Sequence, residues 1–156
     1  MVNDPQSGPL DVFDRKLLKE LSKNGRLPVT ELARRIGLSK SPTQARLKRL
    51  EAQGYILGYR ALLDPEKLDR DHVAFVEVRL TDTREAALAA FNAAVIGVPE
   101  IETCHLIAGQ FDYLLKIRVR DMRAYREILA EVVSELPHVA STSTHVSMQA
   151  VKDAAL

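Results

Sequence analysis

The sequence predicts an α+β protein: an N-terminal helix-turn-helix with a winged continuation, followed by a ferredoxin-like βαββαβ domain with a four-stranded antiparallel sheet. Two observations predict this architecture. Residues 28–51 contain two short amphipathic helical stretches that a glycine separates. From His72 onward, strand and helix periods alternate in the order strand, helix, strand, strand, helix, strand.

Composition and charge place the chain among ordinary globular proteins with two unlike halves. Its 156 residues suffice for one average domain or two small ones. Hydrophobic residues make up 46% and charged residues 28%, which is enough apolar material for a core. Residues 1–62 carry 12 Lys or Arg against 6 Asp or Glu, whereas residues 63–156 carry 10 against 15. The basic first half therefore suits a polyanion, and the acidic second half suits another role.

What the sequence lacks argues against several classes of protein. It has no apolar run near membrane-spanning length and no signal-peptide pattern, so we expect a cytoplasmic protein without a membrane partner. Cys104 is the only cysteine, which excludes an intrachain disulfide and a metal site of paired thiols. Cys104 and His105 are strand neighbours and point to opposite faces, so we expect no metal or catalytic site there. No phosphate loop, nucleophile–base pair or convergent carboxylates are present, so we expect neither an enzyme nor a cofactor.

The first segments predict a tail and a helix. Residues 1–9 carry two prolines and a glycine among polar residues, which predicts a disordered tail. Apolar residues then recur at helical spacing from Leu10 to Leu21, and Asn24 and Gly25 end the helix. This helix is expected to pack under the helix-turn-helix, so residues 10–63 form one domain with the extended segment that follows.

The second helix of the helix-turn-helix has two unlike faces. One face is expected to point at the core and holds Thr43, Leu47 and Leu50. The opposite face is small, amidic and basic, as suits a helix that enters the major groove and bonds base edges. The predicted DNA-binding residues are Lys40, Ser41, Thr43, Gln44, Arg46, Lys48 and Arg49. Two alternatives stay open: the face may be only solvated, or its basic residues may contact phosphates rather than bases.

The second half, residues 64–156, follows a predicted hinge near Asp64-Pro65. Its strands are predicted at residues 72–80, 100–108, 112–120 and 139–151, and its helices at residues 84–96 and from 121 to Pro137. In the second helix the buried stripe is predicted to comprise Met122, Tyr125, Leu129, Val132 and Leu136. Two helices on one side leave the other sheet face open.

The open sheet face predicts a second copy of the chain. Its expected members are Val73, Phe75, Leu114 and Leu106, mixed with Glu77, Arg79, Lys116 and Arg118. Apolar side chains among charges on a sheet face usually pack on a partner sheet, so we expect a homodimer or a larger oligomer. A two-fold dimer also suits palindromic DNA sites.

Three segments of the sequence carry a family resemblance. ELARRIGLSKSPTQARLKRLEAQGYI precedes GYRALLDP, and the second half contains VPEIETCHLIAGQFDYLLKIRVRDMRAYREIL and LPHVASTSTHVSMQAVK. Together they resemble the leucine-responsive regulator/asparagine regulator (Lrp/AsnC, feast/famine) family of bacterial transcription factors, from Leu10 to Lys152. The resemblance implies nucleoid-associated regulators of amino-acid metabolism, whose dimers assemble into tetramers or octamers and bind an amino-acid effector between dimers.

The resemblance also points to an effector site. The implied effector-binding residues are Leu106, Gly109, Asp112, Met122, Thr142, Ser143 and His145. Backbone N–H groups of the glycine loop can hold an α-carboxylate, Asp112 can pair with an α-ammonium, and Leu106 and Met122 can receive an apolar side chain. Five of the seven have a structural alternative: a strand-end cap for Asp112, a turn for Gly109, plain core for Leu106 and Met122, and a polar interface for His145.

Two features keep the effector and the function open. His145 stands where close family members have Tyr, and Ser147 stands where Val is common, so leucine specificity does not carry over. The segments IAGQFDYLLKIRVRD and ASTSTHV look like the branch that activates proline dehydrogenase. The alternative function is an architectural DNA-wrapping protein that binds no ligand and has a steep salt dependence.

Overall fold

The computed structural model describes residues 9–152, which form two compact units that divide between Leu62 and Leu63. The predicted tail at residues 1–9 lies outside the described residues except for Pro9. The first unit contains α1 (Val12–Lys23), α2 (Val29–Ile36) and α3 (Lys40–Ala52). No helix within residues 9–152 has the length and apolar character needed to cross a membrane.

The three helices of the first unit surround a small apolar core. Leu17, Ile36 and Leu50 supply one fully buried residue from each helix, and half-buried leucines surround them. A reciprocal capping box starts α1, because the Asp11 carboxylate accepts the Asp14 N–H and the Asp14 carboxylate accepts the Asp11 N–H. Gly37 ends α2 with φ 79°, a left-handed conformation that favours glycine and turns the chain into α3.

The segment after α3, predicted to be an extended, wing-like continuation, does not belong to a sheet within the described residues. Residues 56–64 form no strand and, within residues 9–152, have no sheet partner. Leu57 and Leu62 are 97% and 85% exposed. A strand needs a neighbour to satisfy its backbone N–H and C=O groups, and a single chain offers none to this segment.

The second unit has the predicted βαββαβ order. Its elements are β1 (His72–Leu80), α4 (Glu85–Ile96), β2 (Ile101–Leu106), β3 (Tyr113–Val119), α5 (Met122–Glu131) and β4 (Val139–Val146), with 3₁₀ turns at Glu66–Leu68 and Val133–Glu135. The strands lie in the order β2-β3-β1-β4, and each neighbouring pair is antiparallel. The observed bounds of β1 are those that the sequence predicts.

One face of this sheet forms the core with the two helices. Alternate residues of β1 and β3 point at the helices and are buried: Ala74, Val76, Val78, Leu80, Tyr113, Leu115, Ile117 and Val119. Phe91 of α4 stacks on Tyr113 with ring centroids 4.4 Å apart, and the Tyr113 hydroxyl donates to Asn92 at 2.8 Å. The buried tyrosine therefore has both an aromatic neighbour and a hydrogen-bond partner.

Three details of the second unit correct the sequence predictions. The final strand ends at Val146 rather than Val151. Leu106 pairs with Tyr113 and so lies on the helix side, not on the open face, because cross-strand partners share a face. Met122 is exposed although it was placed in the buried stripe.

The end of α5 also departs from the predicted helical stripe. The α-helix stops at Glu131, and Val132 has φ −117° and ψ −63° before a 3₁₀ turn begins. Because a 3₁₀ turn has three residues per turn rather than 3.6, the phase shifts, and Val133 rather than Val132 is fully buried.

This phase shift predicts different costs for two neighbouring substitutions. Val133→Ala should lower the free energy of unfolding by about 2 kcal/mol, because it removes buried methyl groups and leaves a cavity. Val132→Ala should cost less than half of that, because Val132 is only half-buried. Urea unfolding of both variants checks the difference, and a loss for Val132→Ala as large as or larger than that for Val133→Ala would contradict the phase shift.

Candidate nucleic-acid interface and ligand pocket

The outward face of α3 matches the predicted character. Ser41, Gln44, Ala45 and Lys48 are exposed along it, and Lys40 is exposed at its first position. The side chains of Lys40, Gln44 and Lys48 form no hydrogen bond or ion pair with any residue of the described part of the chain. A helix face with an amide, an ammonium group and small side chains can approach base edges in a major groove.

The prediction that Thr43 contacts DNA is wrong. Thr43 is 0% exposed, and its hydroxyl donates to the Ser39 carbonyl oxygen at 2.9 Å. The hydroxyl thus satisfies the backbone of the first helical turn instead of facing outward. The helical spacing that places Thr43 beside Leu47 and Leu50 already indicated this orientation.

Arg46 and Arg49 differ from the other basic residues of α3, because their guanidinium groups bind carboxylates of α1. Arg46 donates to Asp14 at 2.8 Å and also to Asp11, and Arg49 donates to the other oxygen of Asp14. Arg46 also lies over the Phe13 ring, 5.6 Å from its centroid. The sequence placed both arginines on DNA, whereas the structure places them on α1.

Asp14 is the residue of this cluster that sequence reasoning missed. Its side chain is 1% exposed, whereas those of Arg46 and Arg49 are 25% and 26% exposed. The capping-box pattern Asp11-x-x-Asp14 signals a helix start, but nothing in the sequence signals the burial. Hydrogen bonds to Asp14 and then Asp11 raise the pKa of Arg46. The Asp14 backbone N–H, and after it Arg46, lower the pKa of Asp11.

Two further acidic residues of the first unit, Glu20 and Glu31, form ion pairs within it. Arg35 binds Glu20 at 2.9 Å and Glu31 at 2.7 Å, so it joins α1 to α2. Hydrogen bonds from Arg34 and Arg35 lower the pKa of Glu31 to about 2. Arginines therefore offset Glu20 and Glu31, whereas the exposed Glu51 of α3 accepts the Tyr59 hydroxyl at 2.8 Å and forms no ion pair within the described residues.

Asp112 sits at the junction of three strands. It ends the loop between β2 and β3, which closes with a hydrogen bond from Ile107 N to Asp112 O at 2.8 Å. Its backbone N–H donates to Val78 O at 2.9 Å, and its Oδ2 accepts the Leu80 N–H at 2.7 Å. The latter bond satisfies the backbone where β1 and β4 change register between Arg79 and Leu80.

The predicted effector residues do not converge within one chain. Leu106, Tyr113, Val78 and Thr142 form one cross-strand row on the helix side. Leu106 and Thr142 stand at its two ends, three strand spacings or about 14 Å apart. Ser143 and His145 point to the open face, where His145 lies 3.2 Å from Glu77.

An open groove runs along α5 beside β4. Its lining residues are Arg123, Arg126, Glu127, Leu129, Ala130, Glu131, Ser134 and Thr142. Of the seven predicted effector residues, only Thr142 lines it. Met122, the first residue of α5, lies outside this lining.

Cys104 and His105 diverge as the strand period predicts. Cys104 packs against the core, and burial raises the pKa of its thiol. His105 is exposed and pairs with Leu114 in the sheet. Within residues 9–152 no group of three or more His, Cys, Asp or Glu side chains is placed to hold a metal ion.

The exposed face of α3 and the ferredoxin-like second unit together define a class: transcriptional regulators with a DNA-binding helix-turn-helix and a separate ligand-binding domain. Comparison with known proteins agrees. Residues 10–56 match a winged helix-turn-helix DNA-binding model, and residues 73–156 match the Lrp/AsnC ligand-binding domain. The chain belongs to the Lrp/AsnC family.

Named relatives cover nearly the whole chain. The proline dehydrogenase transcriptional activator of Rhizobium radiobacter is 56% identical over 153 residues, 98% of each chain. The leucine-responsive regulatory protein of Salmonella typhimurium is 50% identical over 143 residues, 92% of this chain and 87% of that protein. A Neisseria meningitidis transcriptional regulator, solved as a complex with L-Met, superposes with a TM-score of 0.88 at 34% identity, covering 94% of each chain.

The exposed position of Gln44 on α3 predicts a specific role for its side chain. If its amide bonds a base edge, Gln44→Ala should relax base preference at one operator position by about 1–3 kcal/mol. Competition binding with single-base operator variants measures this. The same loss on every sequence would make Gln44 a backbone contact.

The contacts of Asp112 predict a stability difference. Asp112→Ala should lower the free energy of unfolding by about 1–3 kcal/mol, because the Leu80 N–H would lose its acceptor. Asp112→Asn keeps an acceptor oxygen and should cost clearly less. Thermal unfolding of both variants measures these losses. An Asp112→Ala variant as stable as the wild-type chain would contradict the structural role of Asp112.

Proposed function

We propose that this chain is an amino-acid-responsive transcriptional regulator of amino-acid metabolism that binds operator DNA as a dimer or higher oligomer, with the effector bound between dimers. More narrowly, we propose that it activates a proline dehydrogenase gene in response to proline, in the cytoplasm at the nucleoid. The observation that carries the proposal is the exposed face of α3 in a chain that also has an Lrp/AsnC ligand-binding domain. The narrower statement is supported by relatives of 56% identity that are named proline dehydrogenase transcriptional activators.

The open face of the sheet supports assembly. Phe75 is 37% exposed there, beside Val73 and Leu114 and among charged side chains. The extended segment at residues 57–63 has exposed leucines and, within the described chain, no backbone–backbone hydrogen bond. Both surfaces would be satisfied by a second copy, because two-fold symmetry lets one surface pair with itself.

The loop between β2 and β3 supports a ligand near Gly109. The φ of Gly109 is not in the left-handed region, and an added Cβ would meet nothing closer than Ile107 at 3.4 Å. One chain therefore does not require glycine here, whereas a ligand that closely approaches the backbone would. Asp112 Oδ1 has no hydrogen-bond partner within residues 9–152, so it can pair with an α-ammonium.

The separation of the predicted effector residues supports a site between chains. A free amino acid is too short to contact both Leu106 and Thr142 across about 14 Å of one sheet. Residues from a second copy can complete a site around each loop. Effector binding at such a site depends on assembly and, by linkage, alters it.

A thermal-shift screen of the purified chain against the twenty amino acids tests the proposal. An effector that binds the folded state raises its stability by about 2.7 kcal/mol at a concentration 100 times the dissociation constant. We expect L-proline to raise the melting temperature. A shift with another amino acid alone would contradict the narrower proposal and retain the broader one.

A glycine substitution locates the effector. Gly109→Ala should leave the melting temperature of the ligand-free chain unchanged but abolish the shift with the effector, because the methyl group blocks close approach. Gly97→Ala is the matched control, since an added Cβ there meets Ala94 O at 3.5 Å, and it should keep the shift. An unaltered shift in Gly109→Ala would contradict the proposed pocket. Silence of the wild-type chain towards every amino acid, with DNA binding intact, would favour the architectural alternative.

A further inference from the structure

We infer that Asp14 is a positioning residue for DNA recognition, and that Arg46 and Arg49 act behind α3 as its anchors rather than as DNA contacts. The inference rests on the proposed DNA-binding function. Asp14, Arg46 and Arg49 orient α3, and the exposed face with Gln44 and Lys48 contacts the DNA.

The Asp14 carboxylate is buried. A carboxylate with 1% exposure is costly unless it is paired and hydrogen-bonded. Asp14 meets this requirement with the Asp11 N–H and two guanidinium groups, one on each of its oxygens. These bonds link the first turn of α1 to two successive turns of α3, so both helices are fixed by one charge.

Stability alone does not explain the cluster of Asp14, Arg46 and Arg49. Buried ion pairs contribute little net stability compared with apolar packing, because desolvation offsets their attraction. The Nε atom of Arg49 is buried and, within residues 9–152, has no hydrogen-bond partner, which adds a further cost. What the cluster does provide is a single defined orientation of α3, since charged hydrogen bonds tolerate little change in distance or angle.

Arg46 lies on a different side of α3 from Gln44 and Lys48. At 100° per residue Arg46 lies about 200° from both Gln44 and Lys48, so it holds the helix from the side opposite the reading residues. A 20° rotation of a helix with a side-chain radius near 5–6 Å moves an exposed side chain by about 2 Å. Such a shift breaks a hydrogen bond to a base edge but leaves phosphate attraction almost unchanged.

The test compares two variants that each remove one positive charge from α3. The probes are a duplex selected by the wild-type chain from a pool with a randomised centre, and poly(dI-dC) as non-specific DNA. Lys48→Gln should reduce the salt dependence of binding by about 0.9 in the slope of log K against log salt, because a positive charge close to the DNA is lost. Arg46→Gln should keep the wild-type slope and reduce the ratio of selected to non-specific affinity by about tenfold.

Asp14→Asn extends the test by releasing both arginines. It should steepen the salt slope, because two guanidinium groups become available to phosphates, and it should reduce discrimination at least as much as Arg46→Gln. Glu20→Gln is the control, since Glu20 pairs with Arg35 of α2 rather than with α3, and it should keep the wild-type discrimination. Circular dichroism checks that each variant folds. If Asp14→Asn does not fold, the result for Arg46→Gln alone tests the inference.

Three outcomes overturn the inference. If Arg46→Gln lowers the salt slope as Lys48→Gln does, Arg46 contacts phosphate. If Arg46→Gln weakens binding to both DNAs equally, the cluster serves only stability. If the wild-type chain enriches no sequence from the pool, the proposed sequence-specific function fails first and the inference fails with it.

Discussion

The alternation of β1 is the constraint on which the second unit depends. As an inner strand, β1 directs Ala74, Val76 and Val78 at α4 and α5 and therefore directs Phe75 and Glu77 at the opposite face. A slip of one residue would exchange the two sets, so the register is strongly specified. The same parity places Thr142 and Ser143 on opposite faces. One periodicity thus produces the core, the open face available for assembly and the division of the predicted effector residues.

In the first unit, charged hydrogen bonds fix the orientation of α3, which the small apolar core alone does not. Leu17, Ile36 and Leu50 hold the helices together, but apolar contacts are non-directional and permit small rotations. Asp14 adds direction because its carboxylate oxygens bind Arg46 and Arg49 at fixed angles. The basic character of α3 is therefore divided between anchoring and recognition, a division that a count of charges does not reveal.

The sequence was sufficient to predict features that depend on hydrophobic periodicity and on residues that end a helix. The bounds of β1, the stop at Gly37 and the orders of helices and strands all follow from local pattern. It was insufficient where tertiary contacts decide. The burial of Asp14 depends on arginines 32 and 35 residues away in the sequence, and the burial of Val133 depends on a local change of helix type. The hydrogen bond from the Leu80 N–H to the Asp112 carboxylate ties the β2–β3 loop to β1, while the role of Asp112 towards an effector stays a prediction.

We propose that copies of this chain form a DNA-binding assembly whose oligomeric state depends on an amino acid. Sedimentation velocity of the full chain, with and without each of the twenty amino acids, measures that state. We expect dimers or their multiples, with proportions that change when L-proline or another single effector is added. A monomer at every concentration, or one species that no amino acid alters, would contradict it.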